Sequence, residues 1–379
     1  MHKNYVYMAT AARPAILKSQ VLPWIEKTRE KYERAELIVV ESFQNRSFKE
    51  NMGFYKECGV LRCCFLWPLL GMPSLWLNVF CLYFRLFKHR KLFSDAVIHC
   101  RTELMSYFAI KLAMLYGSKN FMIISDVRGD SIDEIANYDK SALLKYLIDS
   151  VFMACLKYSC NKADIISCVT SNLIEVLEER TGMSLKSKAI VIPTIVSEKF
   201  AFNEDMRRLK RKELGISETY MVWIYSGSLA NWQNPELLVQ FVDDKLKDKN
   251  NYVVFLTNQI NEAKKMFAMQ LSSERLYISN VTYGEMPAFL NAADYGFIIR
   301  DNKSTNMVAC PIKLAEYICS GLVIHSAGKI GLLTDLRVQL ERKYANRKER
   351  SLQLSDYFDI DVNFNRLCKM TVKGENTAV

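Results

Sequence analysis

Histidine is scarce in this chain, which has four histidines among 379 residues. The eleven cysteines include no CxxC pair, and several of them lie inside apolar runs, where cysteine behaves as a small buried hydrophobic residue. Without clustered histidines or paired cysteines, neither a Cys/His zinc site nor a disulfide scaffold is expected. We therefore predict no metal site, and the cysteine usage indicates a reducing compartment.

The chain also lacks an unbroken apolar run long enough to span a bilayer. Residues 65–87 carry a single charge, Arg85, but Pro68, Gly71 and Pro73 interrupt their first third. A helix over residues 74–87 would be about 21 Å long, against about 30 Å for the bilayer core. A membrane-spanning helix is therefore disfavoured. The two remaining alternatives are a helix buried in the protein core and a helix that lies at the membrane interface.

The basic run KHRK at residues 88–91 favours the interfacial alternative, because anionic headgroups attract such clusters. A membrane surface, contacted through residues 65–91, is therefore a candidate partner. The first 14 residues are typical of a short strand and a loop rather than of a signal sequence. We expect a cytoplasmic protein, peripheral at the inner face of the membrane.

Acidic residues are outnumbered, with 51 Lys and Arg against 41 Asp and Glu, for a net charge of +10. This balance favours phosphates, nucleic acid or an anionic membrane as partners, or simply a solvated basic surface. No basic stripe interleaved with aromatic residues is present, so nucleic acid is not an expected partner. Half of the residues are hydrophobic, which is ordinary for a globular protein, and the length predicts two domains.

Short apolar strands alternate with helical patterns in both halves of the chain, which predicts an α/β fold with parallel, doubly wound sheets. The predicted strands are residues 5–8, 37–40, 96–99, 121–125, 165–169 and 189–192, then 221–225, 252–257, 276–279, 295–299 and 322–325. A polar stretch between the two sets indicates an N-terminal domain over residues 1–200 and a C-terminal domain over 201–335. Residues 336–379 are a helical segment expected to pack back toward the first domain. Two Rossmann-like domains facing across a cleft would bind ligands at the carboxyl ends of their strands.

The sharpest motif lies in the second half, where AADYGFIIR at residues 292–300 precedes CPIKLAEYICSGLVI at residues 310–324. It predicts a strand that ends at Arg300, a loop, and a helix whose first turn contains Pro311. The N–H groups of that helix, flanked by Arg300 and Lys313, suit a diphosphate. Glu316, one turn further on, can accept hydrogen bonds from a ribose diol. Ordinary surface roles are the alternatives for these three side chains.

This region resembles the donor-nucleotide region of the large retaining GT-B glycosyltransferase family four. Residues 225–235 (YSGSLANWQNP) are similar to that family's first strand-to-helix turn of the C-terminal domain, and residues 190–194 (IVIPT) to the segment that ends its N-terminal domain. The resemblance implies a GT-B fold and sugar transfer from a nucleotide-diphosphate donor, without a metal or cofactor and with retained anomeric configuration.

Site roles also follow from the resemblance. Gly227 and Ser228 would approach the phosphates, and Glu316 would hold the ribose. Lys313, Arg300 and the helix N-terminus at Pro311 would stabilise the leaving diphosphate, with Lys313 counted among the catalytic residues as well.

In the first half, polar residues follow two predicted strands. The run DVRGD at residues 126–130 resembles the "D.RG" variant that a branch of the family carries in place of a catalytic-site histidine. Asp126, Arg128 and His99 are accordingly candidate catalytic residues, which bind sugar hydroxyls or orient the acceptor. The alternatives are structural: an Asp126–Arg128 pair that only shapes a turn, and a His99 whose ring nitrogens only form hydrogen bonds within the fold at the end of a strand. Arg13, Ser19 and Gln20, after the first strand, are candidates on the acceptor side.

The chain departs from the family pattern at three places. The glycine-rich first loop is replaced by ATAAR at residues 9–13, and the Arg and Lys usually found near residues 227–233 are absent. Val308 occupies the position of an expected glutamate, for which Asp301 or Asn306 could substitute.

The interpretation is a hexosyltransferase-like enzyme that acts on a glycan or polyprenyl-linked acceptor in cell-surface polysaccharide synthesis, such as capsule or O-antigen. The alternatives are a sugar-nucleotide epimerase of the same fold and a non-catalytic GT-B partner protein.

Overall fold

A computed structural model describes residues 2–10, 14–42, 48–60, 62–66, 71–136, 141–230, 233–271 and 273–377. The chain divides into two compact units. Unit 1 consists of Met1–Pro193 with Ile360–Val379, and unit 2 is Thr194–Asp359. Residues 194–200 and 336–359, which the sequence analysis assigned to the first domain and to a separate segment, lie in unit 2.

Unit 1 is built on a sheet of seven parallel strands in the order β3-β2-β1-β4-β5-β6-β7. The strands are β1 (Asn4–Thr10), β2 (Arg34–Ser42), β3 (Arg62–Leu66), β4 (Ala96–Arg101), β5 (Phe121–Val127), β6 (Ile165–Cys168) and β7 (Ala189–Val191). The six strands predicted for this half are present. The strand β3 was not predicted, because its residues run on into the apolar stretch after it. Buried residues on both faces of β1 and β5 explain their continuous apolar sequences.

The helices of unit 1 cover this sheet. They are α1 (Pro14–Ile16), α2 (Leu22–Lys31), α3 (Phe48–Glu57), α4 (Met72–Leu86), α5 (Glu103–Leu115), α6 (Ser131–Ala136), α7 (Ala142–Lys162) and α8 (Ser171–Thr181), with α18 (Ile360–Thr377) closing the chain. A π-helical turn, Leu17–Val21, joins α1 to α2, and the 3₁₀ helix Phe87–Phe93 follows α4. The side chain of Thr170 caps α8, and Gly182 ends the helix with φ 72°.

Unit 2 contains five parallel strands in the order β10-β9-β8-β11-β12. The strands are β8 (Met221–Ser226), β9 (Asn251–Leu256), β10 (Leu276–Ser279), β11 (Tyr295–Ile299) and β12 (Val323–Ala327), as predicted. Successive residues of a strand face opposite sides of the sheet. Ile224 therefore packs into one hydrophobic cluster and Tyr225 into the other.

The helices of unit 2 are α9 (Glu204–Glu213), α10 (Pro235–Lys247), α11 (Ile260–Met266), α12 (Met286–Ala292), α13 (Ser304–Met307), α14 (Ile312–Cys319), α15 (Gly331–Asp335), α16 (Arg337–Glu341) and α17 (Arg347–Ser355). Two short 3₁₀ helices, Glu198–Phe200 and Asp356–Phe358, complete the unit. One expectation about Pro311 was wrong: α14 begins at Ile312, and Pro311 precedes it as an extended N-cap with φ −65° and ψ 129°. Its ring sets φ, and the helical dihedrals begin one residue later.

The helix α4 forms within the longest apolar run of the sequence, residues 65–87. It has 15 residues and begins beside Pro73, which lies in its first turn. Within the described ranges, no helix combines the length and the apolar character that crossing a membrane requires.

Candidate functional site

The strand order of unit 2 reverses direction between β8 and β11. In open parallel sheets, ligands bind beyond the carboxyl ends of the strands at such a switch point. Gly227 follows β8 directly, and Arg300 follows β11. The helix α14 supplies Lys313 in its first turn and Glu316 one turn later.

Gly227 is a position where only glycine fits well. Its φ is 155°, and a Cβ there would lie 2.9 Å from Nζ of Lys313 and 3.1 Å from Oη of Tyr225. The missing side chain therefore leaves the space in which the ammonium group of Lys313 approaches the backbone.

The ammonium group of Lys313 is held from two sides. It donates a hydrogen bond to Oε1 of Gln233 at 2.8 Å and lies 4.4 Å from the ring centroid of Tyr225. Burial, reinforced by the nearby Arg300 guanidinium, lowers the pKa of Lys313 well below its ordinary value. An incoming anion would reverse this shift, because it stabilises the charged form.

Arg300 is oriented by a short polar chain. It donates from Nη1 to Oδ1 of Asn306 at 3.2 Å, and Asn306 donates in turn to Oδ1 of Asp301 at 2.6 Å. The Nε of Arg300 is buried and has no hydrogen-bond partner among the described residues. Asn306 and Asp301 are the two substitutes considered for the missing glutamate, and Asn306 thus links Arg300 to Asp301.

Glu316 is a buried carboxyl group whose surroundings do not favour its charge. Its exposed fraction is 5%, and its Oε1 has no hydrogen-bond partner within the described part of the chain. Burial raises the pKa of Glu316 to about 8, although a hydrogen bond with Tyr283 acts in the opposite direction. A buried polar atom without a partner costs stability, and such costs concentrate at functional sites.

The turn after β8 is fixed by two tyrosines. The hydroxyl of Tyr317 accepts a hydrogen bond from the backbone N–H of Ser226 at 2.7 Å, and the hydroxyl of Tyr225 donates to the carbonyl of Ser228 at 2.9 Å. Tyr317 fits there because Gly296 has no side chain, since a Cβ would lie 2.5 Å from the tyrosine ring. Hydrogen bonds with both tyrosines therefore hold the backbone at 226–228.

The structure brings Gly227, Lys313 and Arg300 to the switch point and places Glu316 on the same helix as Lys313. Two cationic groups beside a helix N-terminus can bind a diphosphate, and a carboxyl one turn away can accept from a diol. Sequence reasoning missed Gln233 and Tyr283 as partners of the charged groups. Gln233 stood out only as a departure from the family pattern, and no sequence signal marks Tyr283.

Unit 1 has its own cluster of charges at the carboxyl end of its sheet. Asp126 is fully buried at the end of β5 and accepts hydrogen bonds from Nε of Arg128 at 2.8 Å and from the hydroxyl of Ser167 at 3.0 Å. The Nε2 of His99 lies 3.7 Å and the Nη1 of Arg101 4.0 Å from its Oδ2. Burial alone would raise the pKa of Asp126, but Arg128, His99 and Arg101 hold it well below its usual range.

His99 and Thr102 show how the end of β4 is held. Nδ1 of His99 lies 2.6 Å from the hydroxyl of Tyr5 on β1, and burial lowers the pKa of the imidazole against the effect of Asp126. Thr102 follows β4 with φ 94°, an uncommon conformation for a β-branched residue, and its side chain caps α5. Strained backbone of this kind is often found at functional sites.

The structure thus brings Asp126, Arg128 and His99 together, and their catalytic role stays a prediction. Arg101 and Thr102 were not singled out from the sequence, because neither residue type nor spacing distinguishes them. Arg13 lies outside the described residues.

Comparison with known proteins gives a result for the fold alone. No protein-family model matches the sequence, and no curated protein matches it. Among solved structures, Anabaena HepE in complex with UDP superposes with a TM-score of 0.65 at 9% identity, covering 98% of this chain and 100% of that one. The lipopolysaccharide outer core galactosyltransferase WaaB gives 0.63 at 12% identity, over 97% of this chain and 99% of that one. The fold is GT-B. Units 1 and 2 are its two Rossmann-like domains.

A putative UDP-N-acetylglucosamine 2-epimerase from Listeria monocytogenes also superposes on this GT-B chain. Its TM-score is 0.52 at 12% identity, covering 96% of this chain and 90% of that one. A galactosyltransferase and a putative epimerase thus share the architecture, so the fold does not decide between these activities.

Proposed function

We propose that this GT-B protein is a glycosyltransferase that moves a sugar from a nucleotide-diphosphate donor to a glycan or lipid-linked acceptor. The donor binds at the switch point of unit 2, with its diphosphate against Gly227, Ser228 and the start of α14 after Pro311. HepE, at 9% identity, is a structure with UDP bound, which supports a uridine nucleotide as the first donor to test.

The observation that carries the proposal is a set of three ionisable side chains, Arg300, Lys313 and Glu316, that form no ion pair among the described residues. Nε of Arg300 and Oε1 of Glu316 are buried and unpaired among the described residues, and the ammonium of Lys313 is held only by a neutral amide and a ring. A fold gains no stability from such an arrangement. A ligand that carries two phosphates and a ribose diol would satisfy all three groups.

The chemistry follows from where charge develops. When the bond between sugar and diphosphate breaks, negative charge accumulates on the leaving phosphate oxygen, and fixed cationic groups stabilise it. Lys313 and Arg300 supply that charge in our proposal, so transfer would not depend on a metal ion. Retention of the anomeric configuration rests on the family resemblance.

In unit 1, we assign Asp126 and His99 to positioning rather than to direct contact with substrate. Both are buried, and both oxygens of Asp126 are engaged with neighbours. They would hold Arg128 and Arg101 at the end of the sheet, where the acceptor binds. The proposed setting is cell-surface polysaccharide synthesis at the cytoplasmic face of the membrane.

The experiment is a nucleotide screen by thermal unfolding, followed by turnover. A ligand at 100 times its dissociation constant adds about 2.7 kcal/mol to stability. We expect UDP or another nucleoside diphosphate to stabilise the wild type and to have little effect on Lys313→Met. Lys264→Met, at an exposed lysine of α11, is the matched control and should behave as the wild type. Equal stabilisation of Lys313→Met and the wild type would refute the site.

The epimerase is a second candidate because one superposed structure is a putative epimerase. Incubation of the protein with a nucleotide sugar alone separates the two. An isomerised donor supports epimerisation, whereas an unchanged donor that is consumed only with an acceptor supports transfer. Nucleotide binding without any turnover would indicate a non-catalytic partner protein.

A further inference from the structure

The outer face of α4 is apolar and exposed. Five side chains of the helix and one that follows it form this apolar face: Met72, Trp76, Leu77, Phe80, Phe84 and Phe87. Their exposed fractions run from 40% for Trp76 to 73% for Phe84. At 100° per residue, the five helical members cover one continuous arc. A helix that packs against a protein core normally turns polar residues to this side.

The opposite face of the same helix is what anchors it to unit 1. Leu75, Val79, Leu82 and Leu86 are completely buried, and Asn78 between them donates to the carbonyl of Ser74 at 2.9 Å. The apolar outer face is therefore not needed to hold α4 in place. Its exposure has to be explained by something that covers it.

Basic residues border the apolar face. Lys88, Arg90 and Lys91 are exposed on the 3₁₀ helix after α4, and the guanidinium of Arg90 lies 4.4 Å from the ring centroid of Phe87. From the other side, Nζ of Lys111 lies 5.1 Å from the ring centroid of Trp76. Residues 58–94 contain five Lys or Arg and no Asp or Glu.

We propose that the apolar face of α4 docks into the surface of a bilayer that contains anionic lipids, with the basic border at headgroup level. Trp and Phe side chains suit the boundary between headgroups and acyl chains, and long basic side chains extend from there to phosphates. A second copy of the chain fits poorly, because a two-fold interface would bring the same basic borders against each other. The proposal is independent of the donor site in unit 2.

The test is sedimentation with vesicles of phosphatidylcholine alone or with 30% phosphatidylglycerol. We expect the wild type to bind the anionic vesicles at least tenfold more strongly, and less so at high salt. Lys88→Gln/Arg90→Gln/Lys91→Gln should lose on the order of a hundredfold, since each basic residue contributes about fivefold. Phe80→Glu/Phe84→Glu should lose binding at every salt concentration.

The matched control is Val338→Glu/Leu352→Glu, which places the same two charges at residues of unit 2 that are 79% and 69% exposed. It should bind vesicles as the wild type does. Stabilisation by UDP should be equal in the wild type and in Phe80→Glu/Phe84→Glu, which separates loss of docking from loss of the fold or of the donor site.

Fluorescence provides a readout of which residue enters the lipid. Brominated lipids should quench the wild type and quench Trp76→Phe much less, because Trp76 is the tryptophan on the apolar face. Two outcomes would overturn the proposal: vesicle binding by Phe80→Glu/Phe84→Glu equal to that of the wild type, or a wild-type dimer that this variant converts to a monomer while neither binds vesicles.

Discussion

Replacing Glu316 with glutamine should stabilise the protein while weakening its binding of nucleotide. The pKa of Glu316 rises from 4.5 to about 8 on folding because the carboxyl is buried. Between these values the unfolded chain has released the proton and the folded protein retains it, so the free energy of unfolding falls as pH rises through this window. A shift of this size corresponds to about 5 kcal/mol. Glutamine keeps the shape and removes the titration.

The assay is urea unfolding of both proteins at several pH values. We expect the Glu316→Gln gain to be below about 1 kcal/mol at pH 5, to grow through neutral pH, and to approach about 5 kcal/mol above pH 8. Relaxation around the site would reduce the largest value, and a gain of about 2 kcal/mol at pH 8.5 would still support the reasoning. Glu274→Gln, at an exposed glutamate of unit 2, is the control and should show no pH-dependent gain.

The second part of the Glu316 prediction concerns the affinity for UDP. Above pH 8, where Glu316 is ionised, UDP should bind Glu316→Gln at least tenfold more weakly than the wild type, because a neutral amide is a poorer acceptor than a carboxylate for a ribose diol. Parallel pH profiles of stability for the variant and the wild type would refute the burial argument. A gain in stability with unchanged UDP affinity would refute the ribose assignment alone.

Three further predictions concern Lys313, Gly227 and Asp126. Because burial lowers the pKa of Lys313, UDP affinity in the wild type should fall by up to tenfold per pH unit above that lowered pKa. Titration calorimetry of Lys313→Met should not show this fall. Gly227→Ala should displace the Lys313 ammonium and weaken UDP binding, whereas Gly215→Ala, also at positive φ but in open space, should cost only stability. Asp126→Asn should lower the free energy of unfolding by about 3 kcal/mol, since it leaves the partly buried Arg128 without its carboxylate, and an unchanged urea midpoint would count against the network.

Much of the fold could be predicted from local sequence patterns. The eleven predicted strands are present, because a strand buried on both faces has a short apolar run that turn residues delimit. The helix α4 was also expected from Pro73 and the apolar run behind it. Helix limits were less accurate: α14 begins at Ile312 although its first turn was expected to contain Pro311, since helix ends carry little sequence information.

The amino-acid sequence specifies which residue types lie after which strands. Arg300 follows an apolar strand, and Lys313 and Glu316 are three residues apart in a helical pattern, so their proximity to one sheet edge could be predicted. Local periodicity and turn chemistry are properties of short segments, and they are encoded there.

The pairing of these groups, by contrast, depends on how distant segments pack. Gln233 and Lys313 are 80 residues apart and meet at 2.8 Å, and Glu316 forms a hydrogen bond with Tyr283, which lies outside its own helix. The burial that raises the pKa of Glu316 and lowers that of Lys313 depends on neighbours from several strands and helices. Likewise, packing alone shows that one face of α4 is anchored and the other exposed. Burial and charge pairing are sums over residues distant in the chain, so no local pattern contains them.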